Sequence, residues 1–214
     1  MLAIAVFLCL ALFSCKDKKD TLTLDYHYDY YPLDSAHYVM YDVDSILYTY
    51  NGVHHNDTVH YQWLFTITDT LQLQNEVYYT VETYRRRDST TSWNYDRKWK
   101  VKRTATNLQL YEDDIDFVKL VFPPQQDETW NGNVYVPTTA PYDVFQNWNY
   151  FYASVDQPYS INGLNFDHTL TVSEVDNENL IEKTLRKEVY AKGVGLIYQE
   201  WEYMTKQNVS ADWN

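Results

Sequence analysis

The sequence predicts an all-β fold, a single curved antiparallel meander that closes as a half-barrel or barrel-like sheet. Three observations predict it. The 214 residues include 22 Tyr, 7 Trp and 8 Phe but only 5 Gly, and aromatic side chains favour pleated, half-buried surfaces. Apolar and polar residues alternate with period two in many stretches, whereas long helical periods are scarce. Turn-forming clusters part these stretches at short intervals. A meander of roughly eight to ten strands with one apolar face must curl to bury it, which leaves barrel, half-barrel and sandwich open.

The chain divides into four parts. Residues 1–14 read as an export signal: Met1 to Ser14 has no charged side chain, and Leu2 to Phe13 is an almost unbroken apolar run. That run is shorter than the roughly 20 apolar residues a membrane-spanning helix needs, and it has the length of a signal-peptide core. Residues 15–36 read as a tether. They open with Lys16-Asp17-Lys18-Lys19-Asp20 and run into an aromatic, acidic stretch from Asp25 to Asp34, part of which is able to join the sheet. Residues 37–207 form the β-domain, and residues 208–214 form a C-terminal tail.

Within the domain, Tyr38 to Tyr50 is the first strand, and Asn51-Gly52 opens a turn. Thr58 to Asp69 is the clearest strand, with Val59, Tyr61, Trp63, Phe65 and Ile67 in alternation. A loop over Thr70 to Asn75 leads to a strand from Glu76 to Arg87, and a turn at Asp88 to Ser92 leads to another from Trp93 to Thr104. Asn107 to Tyr111 is a short strand, Glu112 to Asp116 an acidic loop, and Phe117 to Phe122 an apolar strand. Pro123-Pro124 stops it, because proline cannot donate to a ladder. Gln125 to Pro141 is loop-rich. Tyr142 to Ala153 fits a short helix or a strand. Phe166 to Asp176, Leu180 to Ala191 and Val194 to Gln207 complete an antiparallel set. Leu180 to Ala191 alternates weakly and is open to a helix, and Gly193 and Gly195 mark a bulge or tight bend.

The formal net charge is −13, from 17 basic and 30 acidic residues. Such a chain repels nucleic acid and anionic lipid at long range. Cys9 and Cys15 are its only cysteines. With Cys9 removed in the signal, the mature chain can form no intramolecular disulfide. If Cys15 is also acylated, cysteine-based zinc binding and cysteine nucleophiles are excluded. No Gly-x-Ser-x-Gly elbow, phosphate loop or His-Glu-x-x-His helix is present. The expectation is a protein with no catalytic residues, metal or cofactor.

The segment Leu12-Phe13-Ser14-Cys15 resembles the lipobox of bacterial lipoproteins, although Phe13 replaces the usual small or polar residue and no basic residue precedes the run. The charged run after Cys15 is similar to signals that send many Bacteroidetes-type lipoproteins to the outer membrane. Four further stretches resemble a family of uncharacterised Bacteroidetes lipoproteins: Tyr41-Asp42-Val43-Asp44-Ser45-Ile46, Lys119-Leu120-Val121-Phe122-Pro123, Thr129-Trp130-Asn131-Gly132-Asn133, and Tyr190 to Tyr198. The last also resembles a run that closes curved, lipid-carrier-like half-barrels of the envelope. The resemblance implies lipidation of Cys15, a place in the cell envelope at the outer membrane with its facing open, and a curved β-fold. It implies no activity and no functional residues.

Other clusters are candidates for binding. His54, His55 and His60 have metal-ligand side chains, but adjacent strand residues point to opposite faces, so a solvated turn is the simpler reading. Glu112, Asp113, Asp114 and Asp116 lack the glycine and the bidentate glutamate of a calcium loop. Arg85, Arg86, Arg87, Arg97, Lys98, Lys100, Lys102 and Arg103 fall on two neighbouring strands. Lys98, Lys100 and Lys102 form an exposed row that either blunts edge pairing or contacts an anionic headgroup, glycan or acidic partner. Trp93, Trp130 and Trp148 are candidates for glycan stacking by their non-strand context. The functional expectation is a non-enzymatic envelope lipoprotein, membrane-held through its lipid, that binds a hydrophobic ligand or partner protein. The alternatives are a surface glycan-binding accessory lipoprotein and, behind it, a hydrolase.

Overall fold

The computed structural model describes residues 24–50 and 54–205. The signal, Cys15, the start of the tether, the Asn51-Gly52 turn and the C-terminal tail lie outside the described residues. The described chain is all-β and antiparallel, a curled six-stranded half-barrel sheet with a second sheet beside it. The first sheet comprises β1 (Tyr38–Tyr50), β2 (His54–Leu73), β3 (Glu76–Arg86), β4 (Asn94–Arg103), β5 (Asn107–Glu112) and β6 (Ile115–Val121), neighbours in space as in sequence. The second comprises β7 (Thr129–Trp130), β8 (Tyr150–Ile161), β9 (Leu164–Glu178), β10 (Glu182–Ala191) and β11 (Gly195–Thr205), in the order β11-β10-β9-β8-β7.

The curved antiparallel meander expected from sequence is present, and a second sheet continues it. The break falls at Pro123-Pro124, where the ladder loses its donors and the chain leaves the first sheet. Short turns hold the rest in register. Asp113 and Asp114 both take positive φ, 48° and 64°, as do Asn162 and Gly163 at 49° and 79°. Positive φ at both central residues is the geometry of a two-residue hairpin turn that matches strand twist. The first of these turns replaces the acidic loop expected over Glu112 to Asp116, and Glu112 stays in β5 while Ile115 already belongs to β6. The second joins β8 to β9. Tyr142 to Ala153 is both of its alternatives in succession, a 3-10 turn at Tyr142–Phe145 followed by β8. Leu180 to Ala191 is a strand from Glu182 onward.

The expected tether is also shorter than residues 15–36. Tyr30 and Leu33 are buried in the main core, and Tyr26, Tyr28 and Tyr31 pack against it. The Tyr28 ring meets Phe122 edge-on at 5.0 Å, its hydroxyl donates to the Ala105 carbonyl, and the Gly193 N–H donates to the Asp29 carbonyl at 2.8 Å. The segment thus bonds to both sheets. One buried and three partly buried tyrosine rings give it reason to fold back, since each removes apolar area from water.

The core is continuous across the two sheets. Ile67, Val81, Trp99, Val101, Leu108 and Leu120 from the first meet Tyr150, Tyr152, Leu170, Val172 and Tyr190 from the second. Side chains stitch the margins. On one side, the Tyr41 hydroxyl donates to the Leu196 carbonyl at 2.7 Å, and His37 Nε2 lies 2.8 Å from the Val194 carbonyl. On the other, the Tyr152 hydroxyl donates to the Val121 carbonyl at 2.6 Å and accepts from the Val121 N–H at 3.0 Å. The free edge of β6 is capped as well: the Val118 N–H donates to the Gly132 carbonyl, and the Trp130 indole donates to the Val118 carbonyl. Capped edges resist pairing with other chains.

Candidate ligand-binding cavity

Period two sends every second residue of the first sheet inward. Val39 and Tyr41 of β1, Tyr61, Trp63, Phe65 and Ile67 of β2, Val81 of β3, Trp99 of β4, and Leu108 and Leu110 of β5 wall one side of a cavity of about 320 Å³. Tyr190, Val194, Gly195 and Leu196 wall the other, and Tyr31 and Pro32 of the N-terminal segment complete it. Aromatic rings set its shape: Trp63 is edge-on to Phe65 at 4.6 Å and to Trp99 at 5.8 Å, and Phe65 to Trp99 at 5.1 Å. Gly195 has φ 93°, a conformation that suits glycine, which explains the glycine after Val194. The expected bend at Gly193 and Gly195 is the turn from β10 into β11.

One end of the cavity is charged. Arg85, Arg97, Glu112, Lys119, Arg186, Glu188 and Gln199 line it. Behind this end lies a buried ion cluster. Lys119, only 3 % exposed, donates to Glu174 and, at 2.7 Å, to Glu188. Arg186 Nε lies 3.1 Å from Glu174, and Arg186 stacks on Trp201. Tyr190 and Gln199 also donate to Glu188. Burial opposes the Glu188 charge, but Lys119 and Arg186, with the hydrogen bonds, outweigh it and hold the carboxyl down at about 2. Burial pushes Glu174 up, and the neighbouring Glu188 adds to that push. Burial likewise raises Glu112, against the pull of Arg186 and Lys119.

The sequence candidates fall elsewhere. β3 and β4 pair as expected, with Glu82 opposite Lys98 and Tyr78 opposite Lys102. The row Lys98, Lys100 and Lys102 is only partly an exposed, open one. Lys98 pairs with Glu82 at 3.3 Å, and Lys102 pairs with Glu76 at 3.1 Å with its side chain 12 % exposed. Glu76 and the Tyr78 ring cover Lys102, whereas Lys98 and Lys100 are exposed. Trp93, Trp130 and Trp148 do not make an exposed platform. Trp93 lies under Arg86 at 4.2 Å, Trp130 is turned to Val118 and stacks near Tyr152, and Trp148 packs on Phe145 and the core. His60 pairs with Asp44 and His55 with Asp57. Among the described residues, no group of three or more His, Cys, Asp or Glu side chains is arranged to hold a metal ion, and no helix is long and apolar enough to cross a membrane.

The sequence reading missed Arg85, Trp63 and Trp99 as a set, and it missed Lys119, Glu174, Arg186 and Glu188 altogether. One signal for Arg186 and Glu188 was present: polar residues recur every second position through Thr184, Arg186 and Glu188 of a strand that is buried at each of them. Compared with protein-family models, with curated proteins and with solved structures, the chain matches none.

Proposed function

We propose that the chain is an exported envelope lipoprotein, anchored through Cys15, whose β-domain binds a small hydrophobic ligand and catalyses no reaction. The observation that carries this reading is the aromatic cavity between the sheets. Its volume of about 320 Å³ lies at the small end of the ~300–1,000 Å³ range of ligand pockets. It suits one short chain or a ring system and not a two-chain lipid. The glycan reading has less support, since none of Trp93, Trp130 and Trp148 is exposed.

Native mass spectrometry of the protein purified from its own envelope tests the binding reading. A one-to-one adduct of low mass supports it, and a bare protein mass in every preparation overturns it. The address is tested separately: Cys15→Ala moves the protein from the membrane fraction to the soluble fraction. A variant that stays in the membrane overturns the lipid anchor.

The partner-protein reading draws on one further observation. The β1–β2 hairpin runs on past β3, whose pairing with β2 begins at Gln62–Arg86. The projecting ribbon exposes Ile46, Leu47, Tyr48 and Val59. Ile46→Lys with Val59→Lys abolishing a cross-link to an envelope protein supports this reading, and an unchanged cross-link counts against it.

A further inference from the structure

We propose that the cavity takes a small organic carboxylate, an apolar body of short aliphatic or aromatic type that carries a single negative head. The inference rests on the ligand-binding reading and adds the chemistry of the head.

Of three donors on residues that line the cavity, two lack an acceptor and the third shares its only one. The indole N–H groups of Trp63 and Trp99 are shielded from solvent and have no hydrogen-bond partner among the described residues. Both rings line the cavity, 5.8 Å apart. Buried donors are almost always paired, so two orphans on residues that line one cavity favour an acceptor placed beside them. The third donor is Arg85. Its guanidinium stacks on Trp63 at 4.7 Å and on Tyr61 at 5.2 Å, which places it beside the same rings. Its Nε lies 3.1 Å from one Asp96 oxygen, but Arg97 Nε lies 3.2 Å from that same oxygen. Arg97 has a second carboxylate in Asp113 at 2.9 Å. Arg85 has no second one among the described residues, and its terminal nitrogens have none to themselves.

A carboxylate meets this need. It is acceptor-only, its two oxygens suit the planar fork of a guanidinium, and each contact to it is charge-assisted. An ammonium head brings only donors to a corner already rich in them. A dianion is opposed by Glu112 and Glu188, which line the same cavity. The body of the ligand then lies against Phe65, Ile67, Val81 and Leu108, where apolar area leaves water.

Calorimetry with three probes of equal chain length tests the proposal: octanoate, octanol and octylammonium, at neutral pH, on the full chain carrying Cys15→Ser. Octanoate is expected to bind roughly tenfold more tightly than octanol, the scale of one charge-assisted contact, and octylammonium most weakly. In Arg85→Gln, octanoate falls to the level of octanol in the same variant, and an unchanged circular dichroism spectrum shows that the variant is folded. Trp63→Phe keeps a ring, removes the N–H and lowers octanoate binding several-fold, so the proposal remains testable if Arg85→Gln does not fold. Octanol binding as well as octanoate, or a preference that survives Arg85→Gln, overturns the carboxylate proposal and leaves the hydrophobic cavity standing. Binding of none of the three probes overturns both.

Discussion

Removing the Lys119 ammonium should cost more than any other single change to the charged end of the cavity. Lys119 is 3 % exposed and Glu174 is 0 % exposed, so neither charge is answered by water. The cluster balances two cations, Lys119 and Arg186, against two carboxylates, Glu174 and Glu188. Lys119→Met keeps most of the stem and deletes the charge, leaving one cation against two buried carboxylates. Breaking a buried pair from one side costs ~3–5 kcal/mol, because an uncompensated charge stays inside. For a domain of this size each kcal/mol shifts Tm by about 2–4 °C, so the variant should melt roughly 6–20 °C lower. Urea unfolding followed by tryptophan fluorescence gives the free energy, and scanning calorimetry gives Tm. Lys119→Met combined with Glu174→Gln restores the balance of charge and should recover part of the loss. A single variant less than ~1 kcal/mol below wild type, or a double variant no better than the single, would mean that the cluster is not charge-balanced as drawn.

Three further outcomes are expected. A Cβ on Gly132 would lie 2.5 Å from ring carbons of Tyr150, so Gly132→Ala should lower the urea midpoint by an amount equivalent to ~1–3 kcal/mol, the cost of overpacking. Tyr152→Phe removes the hydroxyl that serves both backbone groups of Val121 and should cost ~1–3 kcal/mol, with faster hydrogen exchange at the Val121 amide as the local readout. Glu188 is held at about 2 against an ordinary 4.5. A carboxyl depressed on folding stabilises fully above its unfolded value and loses that contribution as pH falls through the folded one. The stability gap between wild type and Glu188→Gln should therefore be widest above pH 4.5 and narrow steadily towards pH 2; a gap that is constant with pH contradicts the assignment.

Where strands carry apolar residues inward, the sequence is legible. Tyr38–Tyr50 has the bounds that alternation gives it, and Trp63, Phe65 and Ile67 line the interior together as their spacing implies. The turns were less so. Asn162-Gly163 is a strong hairpin signal, yet Pro158 and the polar residues around it hide a strand that runs to Ile161. The charged end of the site was hardest to see, because it inverts the usual rule. Over the first part of β10 the buried positions are Thr184, Arg186 and Glu188, while the apolar Leu185 is only half-buried. A pattern search that looks for apolar residues facing inward finds weak alternation there. Glu112 was hidden for a related reason. It opens an acidic run that looks solvated, but the left-handed pair Asp113 and Asp114 turns the chain so tightly that Glu112 remains in the strand and lines the cavity. The two sheets meet through contacts far apart in sequence, such as Tyr152 with Val121 and Tyr41 with Leu196, and local periodicity carries no information on such pairs.

The most direct test of the cavity as a binding site is anomalous diffraction from crystals of the protein grown with 8-bromooctanoate. Bromine density is expected among Phe65, Val81 and Leu108, with the carboxylate within hydrogen-bond distance of Arg85 and beside the indoles of Trp63 and Trp99. Bromine bound only on the outer surface, with the space between the sheets filled by water or by side chains, would contradict it.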